Sequence, residues 1–235
     1  MSVKAGADRQ GFTIIELLVA TAVFSLVLMA AVSGFLQIGR LFYKGVVTNR
    51  TQVVANQLLA SIVADIQDSP ASGTIAIVND PPDPSVGYTY FCAGGARYTL
   101  NFDKPLDIAN INFTDGFGVL RDELPGNNAC APPCVTGAPS PYDCSAAKYE
   151  FNNPEELLAN NIRLDSLSLG SPVSNPTQLY NVKVRVVSGD DETVQIDTAQ
   201  PLSASNVVCN SNLQTSQYCS AASVSNVVFA GDYGP

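Results

Sequence analysis

The chain has 235 residues, 46% of them hydrophobic and 14% charged, with a formal net charge of −9 and no histidine. That length suits one ordinary domain plus an extension. Without histidine, neither a Ser-His-Asp nor a Cys-His catalytic arrangement can be built, and the Glu155-Glu156 pair is the nearest thing to an acid–base couple.

Charge and hydropathy divide the chain near residue 50. Residues 1–50 carry five basic side chains against Asp8 and Glu16, a net of +3; residues 51–235 carry seven basic and nineteen acidic, a net of −12. An acidic domain repels phosphate backbones, so charge disfavours nucleic acid as a partner. Residues 1–11, MSVKAGADRQG, form a short polar leader of the kind removed by processing. Between Glu16 and Arg40 lie 23 uncharged residues, of which only Thr21, Ser25, Ser33 and Gln37 are polar. About 20 apolar residues suffice for a helix to cross a bilayer.

No proline occurs from Phe12 to Asp68. Past the apolar run, Val47, Val54, Leu58, Ile62 and Ile66 recur at helical spacing, predicting an amphipathic continuation with one buried stripe. Ser69-Pro70 ends it, because proline disfavours a helical residue before it. Gly34, Gly39 and Gly45 weaken the middle, each by up to about 1 kcal/mol relative to alanine, and predict a bend or melted turn.

Beyond Pro70 the pattern shortens into β-forming runs: TIAIV (74–78), YTYF (88–91), RYTLNF (97–102), IRLDSLSL (162–169), LYNVKVRVV (179–187) and VSNVVFA (224–230). INF and GVLR, around residues 114–117, predict a hairpin. SGDDE predicts a turn that returns the 179–187 strand into TVQI. Val182, Val184 and Val186 alternate with Lys183 and Arg185, as in a half-buried strand. Asn153-Pro154-Glu155-Glu156 has the composition of the first turn of a short helix.

All six cysteines, Cys92, Cys130, Cys134, Cys144, Cys209 and Cys219, follow the apolar segment. An even number in that place predicts disulfides in an oxidising compartment, with 15 possible pairings among six. Cys209 and Cys219 make the best local bridge; Cys130, Cys134 and Cys144 lie in a Pro/Gly-rich stretch that cross-links would hold. Zinc spacing is absent, and no cofactor is expected. Asp190, Asp191 and Glu192 are the weak calcium candidates, clustered carboxylates suiting a hard cation, but an acidic hairpin turn is the simpler reading.

The join of leader and apolar run carries the most information: Gly11, Phe12, then Glu16 four residues later. The segment GFTIIELLVATAVFSLVLMAA resembles the prepilin N-terminus of type IV pilins, type II secretion pseudopilins and competence pilins. The resemblance implies that a prepilin peptidase cleaves between Gly11 and Phe12 and N-methylates Phe12. It further implies that Glu16 acts in assembly by pairing with the terminal amine of a neighbouring subunit. A carboxylate within a spanning helix costs roughly 2.5–3.5 kcal/mol at the bilayer centre, so it is expected to have a partner. A plain signal anchor, or a secretory signal peptide cut after Ala31-Val32-Ser33, accommodates the apolar run, but neither accounts for the Gly-Phe junction with its acid. The resemblance covers residues 6–40. The strand pair NNIRLDSLSL and YNVKVRVV is similar to that of minor pilins and J-type minor pseudopilins, and Ser33 stands where many major pilins have a proline.

The expected fold is therefore α+β: a long N-terminal helix, membrane-spanning in its first half, packed on a mainly antiparallel sheet domain with disulfide-closed loops. The expected divisions are a leader (1–11), a transmembrane and filament-core helix (12–40), the amphipathic half of the same helix (41–69) and a β-rich extracytoplasmic head (70–235). The expected partners are prepilin peptidase, other pilin or pseudopilin subunits met through the helix, and membrane lipid before assembly. A tip adhesin whose loops around 125–144 bind a surface ligand, and a signal-anchored binding protein that never polymerises, are the competing functions. Glu155 and Glu156 give no support to catalysis.

Overall fold

A computed structural model describes residues 11–69, 75–78, 89–100, 107–108, 111–112, 118–124, 130, 151–158, 161–170, 179–190, 192–196, 200–205, 207–210 and 218–231. Two compact units divide it, Met1–Phe42 and Tyr43–Pro235. The first is the beginning of helix α1 (Ile14–Gln67), and the second holds the rest of α1 and every strand. α1 is helical at Gly34, Gly39 and Gly45, which corrects the expected melted turn. Three glycines scattered through 54 residues are too few to break a helix rich in Leu, Ala and Val.

In the second unit the helix buries the predicted stripe. Val54, Leu58, Ile62 and Ile66 are buried and Val47 is half-buried; Thr51, Ala55, Leu59 and Asp65 widen the covered face. Val54, Ala55, Leu58, Leu59, Ile62 and Ile66 share one core with Phe91, Tyr98 and Leu100 from one sheet and with Leu164, Leu167, Val182, Val184 and Val186 from another.

The first sheet has four antiparallel strands in the order β1 (Thr89–Ala93), β2 (Ala96–Leu100), β5 (Val119–Glu123), β6 (Glu155–Glu156). The β1–β2 turn needs glycine at 94: φ is +59°, and a Cβ there would lie 2.7 Å from the Asp65 carbonyl oxygen at the end of α1. The second sheet is β11 (Ser220–Phe229), β8 (Leu179–Ser188), β7 (Ile162–Gly170), again antiparallel. Two small pairs complete the strands: β3 (Asp107–Ile108) with β4 (Ile111–Asn112), and β9 (Val194–Ile196) with β10 (Val207–Cys209).

The α+β reading holds, with local corrections. Among the described residues of TIAIV only Val78 pairs, exchanging hydrogen bonds with Tyr90, while the Ile75 N–H donates to the Tyr180 hydroxyl at 3.1 Å. INF and GVLR do not form one hairpin: Ile111 and Asn112 pair with β3, whereas Val119 and Leu120 pair with Leu100 and Thr99 of β2. The expected turn residues 114–117 lie outside the described residues. Nor does TVQI return onto the strand before it; β9 pairs with β10, and both edges of β8 are taken by β7 and β11. Glu155 and Glu156 are extended against Arg121 and Leu120 rather than helical. Asn153, at φ 50°, turns the chain immediately before Pro154, and β5 offers a free ladder edge that a single helical turn would leave unpaired.

Polar groups fasten helix to sheet. Asp65 of α1 accepts from Arg121 Nε at 2.8 Å, from Arg121 Nη2 at 2.9 Å and from the Tyr98 hydroxyl at 2.6 Å. Burial, and then the Asp65 carboxylate, push the Tyr98 hydroxyl well above its ordinary range. A phenol whose folded-state pKa is raised contributes stability that is complete below its unfolded value and declines as pH rises beyond it. The Tyr98 contribution should therefore fall above about pH 10, by up to about 1.4 kcal/mol per pH unit. Urea titrations between neutral and strongly alkaline pH test this: Tyr98→Phe should flatten the alkaline decline relative to wild type, and an unchanged slope would contradict it.

Candidate functional site

The N-terminal segment starts as an exposed, non-helical Gly11-Phe12-Thr13 and enters α1 at Ile14. Thr13 and Glu16 form a reciprocal cap. The Glu16 N–H donates to Thr13 Oγ1 at 3.4 Å, and Glu16 Oε2 accepts from the Thr13 N–H at 3.0 Å and from its hydroxyl at 2.9 Å. This is the Thr-x-x-Glu capping box, which satisfies amides that open every helix. Its pattern, Thr13 with Glu16 three residues on, is legible in the sequence beside the Gly-Phe junction. Both side-chain bonds fall on Oε2, and Oε1 takes none among the described residues.

From Leu17 to Gly39, α1 is apolar all round and, Gly34 apart, exposed. Phe12, Met29 and Phe35 are 83%, 73% and 76% accessible, and the other large apolar residues up to Tyr43 are exposed too. Its polar members hide their hydroxyls against their own helix: Thr21 donates to the Leu18 carbonyl at 2.9 Å, Ser25 to Thr21 at 2.7 Å, Ser33 to Ala30 at 2.8 Å. A helix apolar on every side needs lipid or other helices around it. Among the described residues this is the single helix long and apolar enough to cross a membrane.

The remaining candidates lie in the second unit. Cys209 bonds to Cys219, the predicted local pair, and Cys92 bonds to Cys130. Cys134 and Cys144 lie outside the described residues, as do residues 1–10 of the expected leader. Asp190 is committed to its own turn: its carboxylate accepts the Thr193 N–H at 3.0 Å and its carbonyl accepts the Thr193 hydroxyl at 3.0 Å. Glu192 is exposed and Asp191 lies outside the described residues. Among the described residues no three carboxylates, thiols or imidazoles gather as a metal cluster.

The Gly11-Phe12 junction, Glu16 and the apolar run as far as Val32 lie within a match to a known motif. Residues 7–32 match the prokaryotic N-terminal methylation motif. This methylation motif is typical of type IV pilin-like proteins with one N-terminal apolar helix, and it supports a structural, prepilin-like or pseudopilin-like role. It implies processing by a prepilin peptidase and assembly with related pilin subunits, and it is consistent with a single-pass membrane protein and with a non-catalytic one. No curated protein and no solved structure matches the chain.

Proposed function

We propose that this chain is a minor structural subunit of a type IV pilus or of a type II secretion-like pseudopilus. Prepilin peptidase cuts it between Gly11 and Phe12 and methylates the new amine of Phe12. Residues 12–40 hold the subunit in the cytoplasmic membrane with the disulfide-bonded head outside, and then form the filament core against related helices. The observation that carries this reading is the methylation motif lying across the start of a helix whose large apolar side chains are exposed from Phe12 to Tyr43.

Physical reasoning favours the steps in that order. Transfer from lipid to filament keeps the apolar surface out of water throughout, so association must draw on packing and on polar groups rather than on the hydrophobic effect. Cleavage supplies such a group, a positive α-amine one residue before the Thr13–Glu16 cap. The disulfides Cys92–Cys130 and Cys209–Cys219 suit an oxidising exterior. The minor-subunit reading rests on the large head, the late strand pair β7–β8 and the absence of a proline at Ser33.

Mass spectrometry of the protein recovered from cells with an active prepilin peptidase tests the proposal. The expected N-terminal peptide begins with N-methyl-phenylalanine at Phe12. A chain that keeps its leader there, or one cut after Ser33, would refute it.

A further inference from the structure

Past Val53, the described residues leave three large hydrophobic side chains exposed: Val208, Tyr218 and Val227. Two of the three adjoin one disulfide, Cys209–Cys219. Val208 faces away from the buried Val207, and Tyr218 directly precedes Cys219. This corner is tied to the first turns of α1 in the second unit. The Tyr218 ring meets Tyr43 edge-to-face with centroids 6.2 Å apart, and the Ser220 hydroxyl donates to Thr48 Oγ1 at 3.1 Å. Tyr43 itself is 60% exposed, and Lys44 beside it is exposed.

Chain connectivity limits how far Tyr43 can lie from the apolar segment. The uncharged run ends at Gly39, and the helical residues from there to Tyr43 advance about 6 Å. The polar interfacial layer of a bilayer extends about 5–8 Å beyond the hydrocarbon on each side. Tyr43 therefore emerges at headgroup depth whenever residues 17–39 span the membrane. The Tyr218 ring, 6.2 Å from that of Tyr43, lies within about that distance of the same depth. Tyrosine suits that layer, with its ring toward the acyl chains and its hydroxyl in the wet headgroups, and a lysine stem buries its methylenes while its ammonium reaches the phosphates.

We propose that, in the membrane-anchored subunit, the Cys209–Cys219 corner of the head rests on the phospholipid surface, with Tyr43, Tyr218 and Val208 at the acyl boundary and Lys44 at the lipid phosphates. The head then has a second membrane contact besides its helix, which restricts how it tilts before assembly and is given up on extraction into a filament. The inference depends on the membrane-spanning reading of residues 12–40.

The chain contains no tryptophan, so one introduced residue gives an unambiguous fluorescence signal. Tyr218→Trp, Gln67→Trp and Leu28→Trp are each made in the full chain and reconstituted into phosphatidylethanolamine/phosphatidylglycerol vesicles. Quenching is read with a headgroup-nitroxide lipid and with a lipid brominated deep in the acyl chains. Gln67, exposed at the far end of α1, lies about 36 Å of helix from Tyr43 and controls for the affinity of tryptophan itself for interfaces. The expected result is deep quenching of Leu28→Trp and headgroup quenching of Tyr218→Trp several-fold above that of Gln67→Trp. If Tyr218→Trp loses native near-UV dichroism, Val208→Trp replaces it with the same expectation. Deep quenching at residue 28 with no excess at 218 or 208 over 67 would overturn the lipid contact while leaving the anchor intact. Absence of quenching at residue 28 would remove the anchor and this inference with it.

Discussion

Replacing Asp122 by alanine is expected to destabilise the head by about 3–5 kcal/mol, the cost of breaking a buried ion pair from one side. Asp122 and Arg97 face each other across the β5–β2 ladder, with side chains 0% and 5% accessible. Arg97 Nε donates to Oδ1 at 2.9 Å, Arg97 Nη2 donates to Oδ2, and the Asn152 N–H donates to Oδ2 at 3.3 Å. The Arg97 guanidinium also lies 5.7 Å from the centroid of the Phe151 ring. Losing the carboxylate would leave a buried cation without its bidentate acceptor and would remove one of the bonds that hold the 151–156 segment against β5. Against a typical domain stability of about 5–15 kcal/mol, that is a large fraction. Urea unfolding of the full chain, followed by near-UV circular dichroism, gives the number. The double variant Arg97→Met/Asp122→Leu should recover most of the loss, because matched apolar residues replace buried pairs at little cost. A single variant within about 0.5 kcal/mol of wild type, the range of an ordinary surface change, would show that the pair contributes little.

That pair illustrates what the sequence hides. Periodicity revealed Val54, Leu58, Ile62 and Ile66 as one stripe, and the alternation of Val182, Val184 and Val186 fixed the inner face of β8, because burial repeats with the geometry of the element. Strand partners do not repeat in that way. GVLR reads as well against INF as against RYTL, and the choice is made by a long-range cross-strand ion pair and by the docking of Asp65 onto Tyr98 and Arg121, 33 and 56 residues away. Asp165 makes the same point. Leu164 and Leu167 mark a strand, yet nothing local announces a bulge there, nor a carboxylate that accepts from Arg185, Ser205 and the Val207 N–H and so holds the approach to β10. The N-terminal segment was legible for the opposite reason. Its junction, its acid and its apolar run are local, and so is the Thr13–Glu16 cap.

Glu16 has two candidate contributions, and one set of variants separates them. As half of the capping box it contributes about 1 kcal/mol to the start of α1. As a charge in lipid it disfavours the membrane-bound subunit by up to roughly 2.5–3.5 kcal/mol, which pairing with a neighbour's amine would relieve. At about 1.4 kcal/mol per tenfold, that relief corresponds to an incorporation equilibrium shifted on the order of a hundredfold. Glutamine serves a capping box as well as glutamate does but carries no charge. If the charge drives assembly, Glu16→Gln and Glu16→Leu should both be nearly absent from filaments co-assembled with wild-type subunits. Thr13→Ala, which weakens the cap and keeps the acid, should still enter them at a level within a few-fold of wild type. The readout is the ratio of tagged variant to wild type in sheared filaments against the same ratio in membranes. A Glu16→Gln subunit that enters filaments normally while Glu16→Leu does not would assign the residue to the cap alone. Oε1, which takes no bond among the described residues, would then have no ammonium to receive.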